Sequence, residues 1–503
     1  MTCEVVVVGA GLGGLTVAAL LAARGVSVCV LERESYAGGC AAPFDHSGFR
    51  FEGGAGLYAG WQPDGIHARV FAELPVPLPE VRRLAPAYVV RLPDGTDVRV
   101  GLADVAEFEM ELRHHFPECA AAAVAFYREI GPIAEALRRS ARRFPALATA
   151  SKLQRLRLSA MEARTASRVL ALEDKTAAAL LSPGLSPRFH RFIDAQLHLF
   201  AGRPAAECAA LYAAIALTEP QRGLYAISGG AVSLIDALTR SIINSGGTIR
   251  FDAPALRLAD DDAGGRIAGV DLLSGERLTA TRAIVSNLTI WDTYGKLVGL
   301  NRTPAAVRAR LKSLRGRGAY VLYLALDEAA ARRLPADQVL AVHDWQENQT
   351  DDPVAGAQLM FSATPAWDQS RAAVGQRAVT VSCLTDAEQW FSFHEDESEH
   401  EAQDQLALEK YWGRLHATLP ELGAGVEVIE TATPRTFYER TRRKLGMIGG
   451  VGQSLDVFGT NAVTHRTPLP NFYMVGDTVF PGNGVAAVTH SALIVADEIA
   501  SPR

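Results

Sequence analysis

Four consecutive valines, Val5–Val8, run straight into Gly9, Gly11 and Gly14, and an Ala/Leu-rich stretch follows until Gly25. A β-branched run of this kind suits a strand buried on both faces, and the glycines after it suit a tight turn into a helix. A second apolar run, Val26–Leu31, then ends on Glu32, which puts a carboxylate at the tip of a neighbouring parallel strand. The pattern predicts a β–α–β unit built for a dinucleotide, and each glycine has a separate task. Gly9 permits the turn, Gly11 lets backbone approach a pyrophosphate, and Gly14 lets helix pack closely on strand. The helix start presents unpaired N–H groups and the positive end of its dipole to phosphate. Glu32 would accept hydrogen bonds from an adenosine ribose and repel a 2′-phosphate, which disfavours NADP. Gly38 and Gly39 follow the acid and complete the context.

Bulk properties narrow the remaining choices. A chain of 503 residues, 48% hydrophobic, can fill two to four cores. A formal net charge of -6 gives no general attraction to nucleic acid. Cys3, Cys29, Cys40, Cys119, Cys208 and Cys383 show no CxxC spacing, so no metal site is expected and the thiols read as reduced, in a cytoplasmic setting. No charged segment precedes an apolar core at the start, so no signal peptide is expected. No apolar run reaches the ~18 residues of a membrane span, so any membrane contact would be peripheral.

Along the chain, Phe44–Ala59 is glycine-punctuated and suits a loop returning under a cofactor. Asp94-Gly95 predicts a type I′ hairpin. From Leu102 to Ala216 the pattern becomes helical, with basic residues from Arg138 to Arg168 that suit either an anionic bilayer surface or a solvated face. Beyond Pro220 β/α alternation resumes, with a helix after Gly229-Gly230, a strand over Thr248–Leu258 and another over Arg282–Asn287. Strand candidates at 319–326, 339–343, 358–363 and 378–384 suggest a mixed or antiparallel sheet, one face of which is a ligand wall. An acid-rich stretch, Glu395–Glu409, leads into a helix carrying Tyr411, Trp412 and Leu415. Finally the strand Asn471–Val475 meets Gly476-Asp477, a Pro-Gly turn and a helix starting near Gly484. Asp477 would bond a polyol hydroxyl, and that helix start would face a developing anion.

The segments GAGLGG with LERESYAGG, FRFEGGAG, RFIDAQLHLF, GLYAISGG, and GMIGGVGQ with RTPLPNFYMVGDTVFPGNGVAAV together resemble the phytoene-desaturase-type carotenoid oxidoreductases, across nearly the whole chain. That family includes desaturases, carotenoid C-3′,4′-desaturases, cis-trans isomerases and retinol saturases. The resemblance implies an α/β architecture: a glutathione-reductase-like Rossmann FAD-binding domain, a mixed-sheet substrate domain and a helical insert. We expect residues 1–101, 217–290 and 441–503 in the FAD-binding domain, 102–216 in the insert and 291–440 in the substrate domain. It further implies that Gly9, Gly11, Leu12, Gly13 and Gly14 lie on the pyrophosphate, Glu32 on the adenosine ribose and Asp477 on the ribityl chain. Gly484, Val485, Ala486 and Val488 would lie against the isoalloxazine, and Ala255 would contact adenine through its backbone. Arg33, Gly38, Gly39, Cys40, Gly54, Ala55, Ser286 and Gly476 complete the expected set. Many relatives place Arg or Lys where this chain has Cys40, so a phosphate-side charge is missing or comes from Arg33.

A single dinucleotide unit favours hydride transfer from substrate to flavin, with reoxidation by a quinone, oxygen or another external acceptor. The reaction expected is removal of two hydrogens from a polyene C–C single bond, in a tunnel that binds by apolar burial. A carotenoid isomerase or saturase, an amine-oxidase-like flavoenzyme and a non-enzymatic prenyl-binding module are the competing readings. No catalytic residue stands out. His490 is nearest the expected flavin along the chain, and packing or capping is its plainer role; His198, His343 and His394 are no better founded.

Overall fold

The computed structural model describes residues 1–54, 56–143, 163–260, 266–344, 358–392 and 396–501. The valine run forms strand β1 (Thr2–Val8), the glycine turn leads into helix α1 (Leu12–Ala23), and β2 (Val28–Leu31) returns parallel to β1, Val6 beside Cys29. Every residue of α1 from Leu12 to Ala22 is buried, which explains why its sequence is apolar all round rather than on one stripe. It packs against the helix Ala231–Asn244 and against the last helix, α2 (Val485–Ala500). Segments at the two ends of the chain therefore share one core, which holds Leu15, Ala18 and Ala19 together with Ala492, Val495 and Ala496.

The first sheet has the order Ala255–Asp260, Ile267–Leu272, Arg277–Ser286, β1, β2, Thr248–Arg250, and Phe472–Met474 lies parallel to Arg277–Ser286. The second sheet has the order Val426–Ala432, Gly316–Asp327, Gln376–Thr385, Gln358–Ala363, Gln338–Val342, Tyr88–Arg91, Asp97–Val100. Ile448–Val451 pairs with its strand Gly316–Asp327. All its neighbours are antiparallel except Tyr88–Arg91 beside Gln338–Val342, so the sheet is mixed. The stretches 1–101 and 441–503 each supply strands to both sheets. Helices Ala120–Arg143, Pro187–Ala201 and Ala210–Arg222 cover one face of the second sheet. There Phe116, Phe189 and Phe192 pack in one core with Tyr88, Leu340 and Met360.

Three local expectations change. The 92–96 hairpin exists, but Gly95 has φ 80 while Asp94 stays at negative φ, and Gly95 N–H donates to Leu92. Pro93 locks a negative φ at the first central position, so the turn is type I followed by a left-handed glycine, not type I′. The strand expected over Thr248–Leu258 is two, Thr248–Arg250 and Ala255–Asp260, broken where Asp252 adopts φ 50 before Pro254. Of the basic helical segment, residues 144–162 lie outside the described residues, and Arg138 is turned inward onto Glu135 and Glu219. The acid-rich stretch enters the helix Glu397–Thr418 with Asp396 as its cap. Among the described residues no helix is long and apolar enough to cross a membrane.

Candidate active site

A cavity of about 900 Å³ runs from the first turn of α1 to the second sheet and the helices above it. At its first end the chain closes tightly on itself. A Cβ on Gly14 would stand 2.0 Å from the carbonyl oxygen of Gly9, so the strand-to-helix turn admits no side chain there. Asn287 lies across the same turn: a Cβ on Gly11 or on Gly13 would meet its amide at 2.6 Å. The first N–H groups of α1 have no intrahelical acceptor and open onto the cavity. Glu32 accepts from Ala10 N–H at 2.7 Å and from Glu34 N–H at 3.0 Å, which aims its carboxylate along the cavity wall. The remaining lone pairs suit a diol.

Gly9, Gly11, Leu12, Gly13, Glu32, Arg33, Gly38, Gly39, Cys40, Gly54, Ala255, Gly476, Asp477, Gly484, Val485, Ala486 and Val488 all line this one cavity. Gly14 and Ser286 stand behind the wall. Ser286 is fully buried with its hydroxyl on Thr293 at 2.8 Å, and the next residue, Asn287, is the one that faces the cavity. Ala55 lies outside the described residues. Gly484 holds φ +90 with open space where a Cβ would be, so the loop before α2 presents bare backbone to the cavity.

Two charges sit differently from expectation. Arg33 pairs with Glu34 and donates to the carbonyl of Arg440 at 3.3 Å, so it is drawn off toward residues 439–440. Asp477 is not free: Arg443 bridges both its oxygens, at 3.1 and 2.8 Å. Arg443 lies beside Cys40, whose thiol is pushed up by burial and pulled back by that guanidinium. Reading by motif missed Arg443, because it belongs to a stretch, ERTRRKLG, with no periodic or glycine signal. It also missed Glu52, on the cavity wall, which accepts from Tyr58 at 2.9 Å, Ala231 N–H at 3.2 Å and the buried Arg371 at 3.2 Å.

The far end is largely apolar, lined by Leu57, Leu199, Phe200, Ile215, Met360, Leu384 and Phe458, with Gln358 and Ser382 on the same strands and the paired Arg138 and Glu219 also on the wall. Tyr212 bridges it to the loop before α2, donating to Asn483 at 3.0 Å, and burial pushes its phenol well up. His198 and His490 also line the cavity, and burial lowers them to about 3 and about 4, so both are neutral imidazoles at pH 7. His343 follows the strand Gln338–Val342 and does not line the cavity, and His394 lies outside the described residues.

A dinucleotide cradle opening into a largely apolar chamber fits a flavin-dependent oxidoreductase, and comparison with known proteins shows that class. Residues 12–500 match the model for flavin containing amine oxidoreductases, and the chain belongs to that family. FAD is its cofactor, and the bare glycine turn, the aimed Glu32 and the open backbone at Gly484 fit that group. Among curated proteins the chain is 25% identical over 506 residues to prolycopene isomerase 2 of an Oncidium hybrid cultivar, covering 99% of this chain and 84% of that one. It is 23% identical to all-trans-retinol 13,14-reductase of Danio rerio, covering 98% and 86%. Phytoene dehydrogenase of Streptomyces griseus is 33% identical, over 53% of this chain and 51% of its own. These relatives bear out the resemblance to the phytoene-desaturase type. Of solved structures, an oxidoreductase from Methanosarcina mazei superposes with TM-score 0.63 at 17% identity, covering 99% of this chain and 100% of that one. A triple mutant of putrescine oxidase gives TM-score 0.63 at 15% identity, covering 99% and 98%. Both show the shared fold. Family membership sets aside the non-enzymatic prenyl-binding module.

Proposed function

We propose that the chain desaturates a carotenoid-like polyene, removing two hydrogens from a C–C single bond next to the conjugated system. The observation that carries this reading is the uneven lining of one cavity: hydrogen-bonding backbone and acids crowd one end, and the other is lined mostly, though not wholly, by aliphatic and aromatic side chains. In this reading the α1 turn holds the diphosphate of FAD, Glu32 the adenosine ribose, Ala255 the adenine and Asp477 the ribityl chain. Gly484–Val488 flank the flavin ring. Bound FAD supplies a hydride acceptor. The chain's own task is to hold a substrate with almost no hydrogen-bonding groups, so affinity rests on buried area. About 300 Å² of polyene at ~25 cal/mol per Å² is worth roughly 7 kcal/mol before ordering costs. Met360 and Leu384 on the sheet, with Leu199, Phe200 and Ile215 on the helices, form that contact surface and exclude water. The second hydrogen would leave as a proton, and reoxidation would fall to an external acceptor such as a quinone or oxygen. The names of relatives, phytoene desaturase of Cercospora nicotianae among them at 26% identity over 361 residues, support a polyene substrate.

The test is expression in a host that accumulates acyclic carotenoids, followed by absorption spectra of the extracted pigment. A red shift is the expected outcome, since each new double bond lengthens the chromophore. An unchanged chromophore length with an altered cis band would replace desaturation by cis-trans isomerisation.

A further inference from the structure

We propose that Arg443 is the cation that meets the diphosphate of the cofactor, in addition to holding Asp477. The proposal rests on the FAD reading above. Three segments converge on the mouth of α1. Gly38 is bridged to Gly11, a Cβ on Gly39 would lie 3.3 Å from the Gly11 Cα, and a Cβ on Gly13 would lie 3.4 Å from the Gly476 Cα. The residues that follow these last two segments, Cys40 and Asp477, are the ones Arg443 reaches. Arg443 therefore stands where the first turn of α1, the double glycine and the Gly476-Asp477 corner face the same space.

Charge balance favours a cation at that point. A diphosphate brings two negative charges, and α1 offers only the half-charge of its dipole, with no basic side chain in its first turn. Glu32, Glu34 and Asp477 line the same end of the cavity. Of the other cations lining this end, Arg33 pairs with Glu34, Lys296 with Asp292 at 2.8 Å, Arg440 lies over the ring of Phe44 at 4.3 Å and Arg442 over Tyr438 at 5.1 Å; Arg443, itself paired with Asp477, is the cation that also reaches Cys40 after the double glycine. Arg443 is fixed in place by donating Nε to the carbonyl of Met447 at 2.7 Å, and its side chain is 15% exposed. A guanidinium held in a partly desolvated wall and presenting further N–H groups is the side chain best suited to phosphate.

The test reads FAD binding rather than turnover. The dissociation constant is measured by flavin fluorescence on apoprotein, at low and at high salt, for the wild type, Arg443→Met, Asp477→Asn and the double variant. If the wild type binds no FAD, the functional reading itself falls. If it binds, Arg443→Met is expected to weaken FAD about ten- to hundredfold and to flatten the salt dependence. The same loss is expected in the Asp477→Asn background, and Arg443→Lys or an added Cys40→Arg is expected to restore part of it. An Arg443→Met loss that vanishes once Asp477 is already Asn would overturn the proposal and leave Arg443 as a clamp on Asp477 alone. So would unchanged binding by an Arg443→Met protein whose circular dichroism and melting match the wild type.

Discussion

The pair Glu52–Arg371 offers the sharpest test of how the cavity wall is held. Both side chains are 7% exposed, and Glu52 also takes the hydroxyl of Tyr58 and the N–H of Ala231 at the start of the Ala231–Asn244 helix. One carboxylate thus ties the hairpin before Gly53-Gly54, the Ala231–Asn244 helix and the 368–371 loop together. Replacing Arg371 by Met leaves a buried carboxylate without its counter-charge, a change that costs about 3–5 kcal/mol. Against a total stability of about 5–15 kcal/mol that is a large fraction. Urea unfolding followed by circular dichroism, at saturating FAD so that cofactor linkage is constant, should show a lower midpoint at unchanged slope. The double variant Glu52→Gln/Arg371→Met removes the stranded charge and should recover part of the loss. An Arg371→Met protein within about 0.5 kcal/mol of wild type would refute the reasoning, because a buried ion pair cannot lose one member so cheaply.

Other consequences follow from the same geometry. Glu32→Gln keeps the shape but removes the charge that accepts from the turn and, in the proposed reading, from the ribose, and FAD should dissociate about tenfold more readily in equilibrium dialysis. His67 and His198 are held to about 3, and His465 and His490 to about 4, by burial, against an ordinary 6.5. Because these folded values are depressed, the unfolded chain binds protons first as pH falls. Stability should be full above about pH 6.5 and decline toward pH 4; a urea midpoint equal at pH 7 and pH 5 would contradict this. Leu384→Asp should cut polyene conversion on the order of a hundredfold by placing a carboxylate on the apolar wall. Its flavin content per chain, read from absorbance, should stay at the wild-type level.

Much of the fold was legible because period and punctuation agree with tertiary structure where an element is buried on both sides. Val5–Val8 and residues 319–326 are unbroken apolar runs, and both are central strands. The Gly476-Asp477 corner and the α2 start were legible for the same reason. What sequence could not show depends on pairing across the chain. Tyr88–Arg91 lies beside Gln338–Val342, and no local signal assigns an early hairpin to the second sheet. Ser286 was expected on the cofactor, but strands alternate faces, and the single step to Asn287 decides which side chain meets the cavity. The Arg443–Asp477 bridge joins residues 34 apart through a turn in which Arg442 and Leu445 take φ 53 and 51. Its existence is a tertiary fact. At 92–96 the dipeptide Asp-Gly was read correctly as a turn, yet Pro93 chose its type.

The most direct measurement mixes FAD-loaded protein with an acyclic polyene in the absence of oxygen and follows both chromophores in one spectrum. The account predicts that the oxidised-flavin band bleaches once per chain while the polyene band moves to the red. Polyene turnover with the flavin band unchanged, or a purified chain that takes up no FAD, would contradict it.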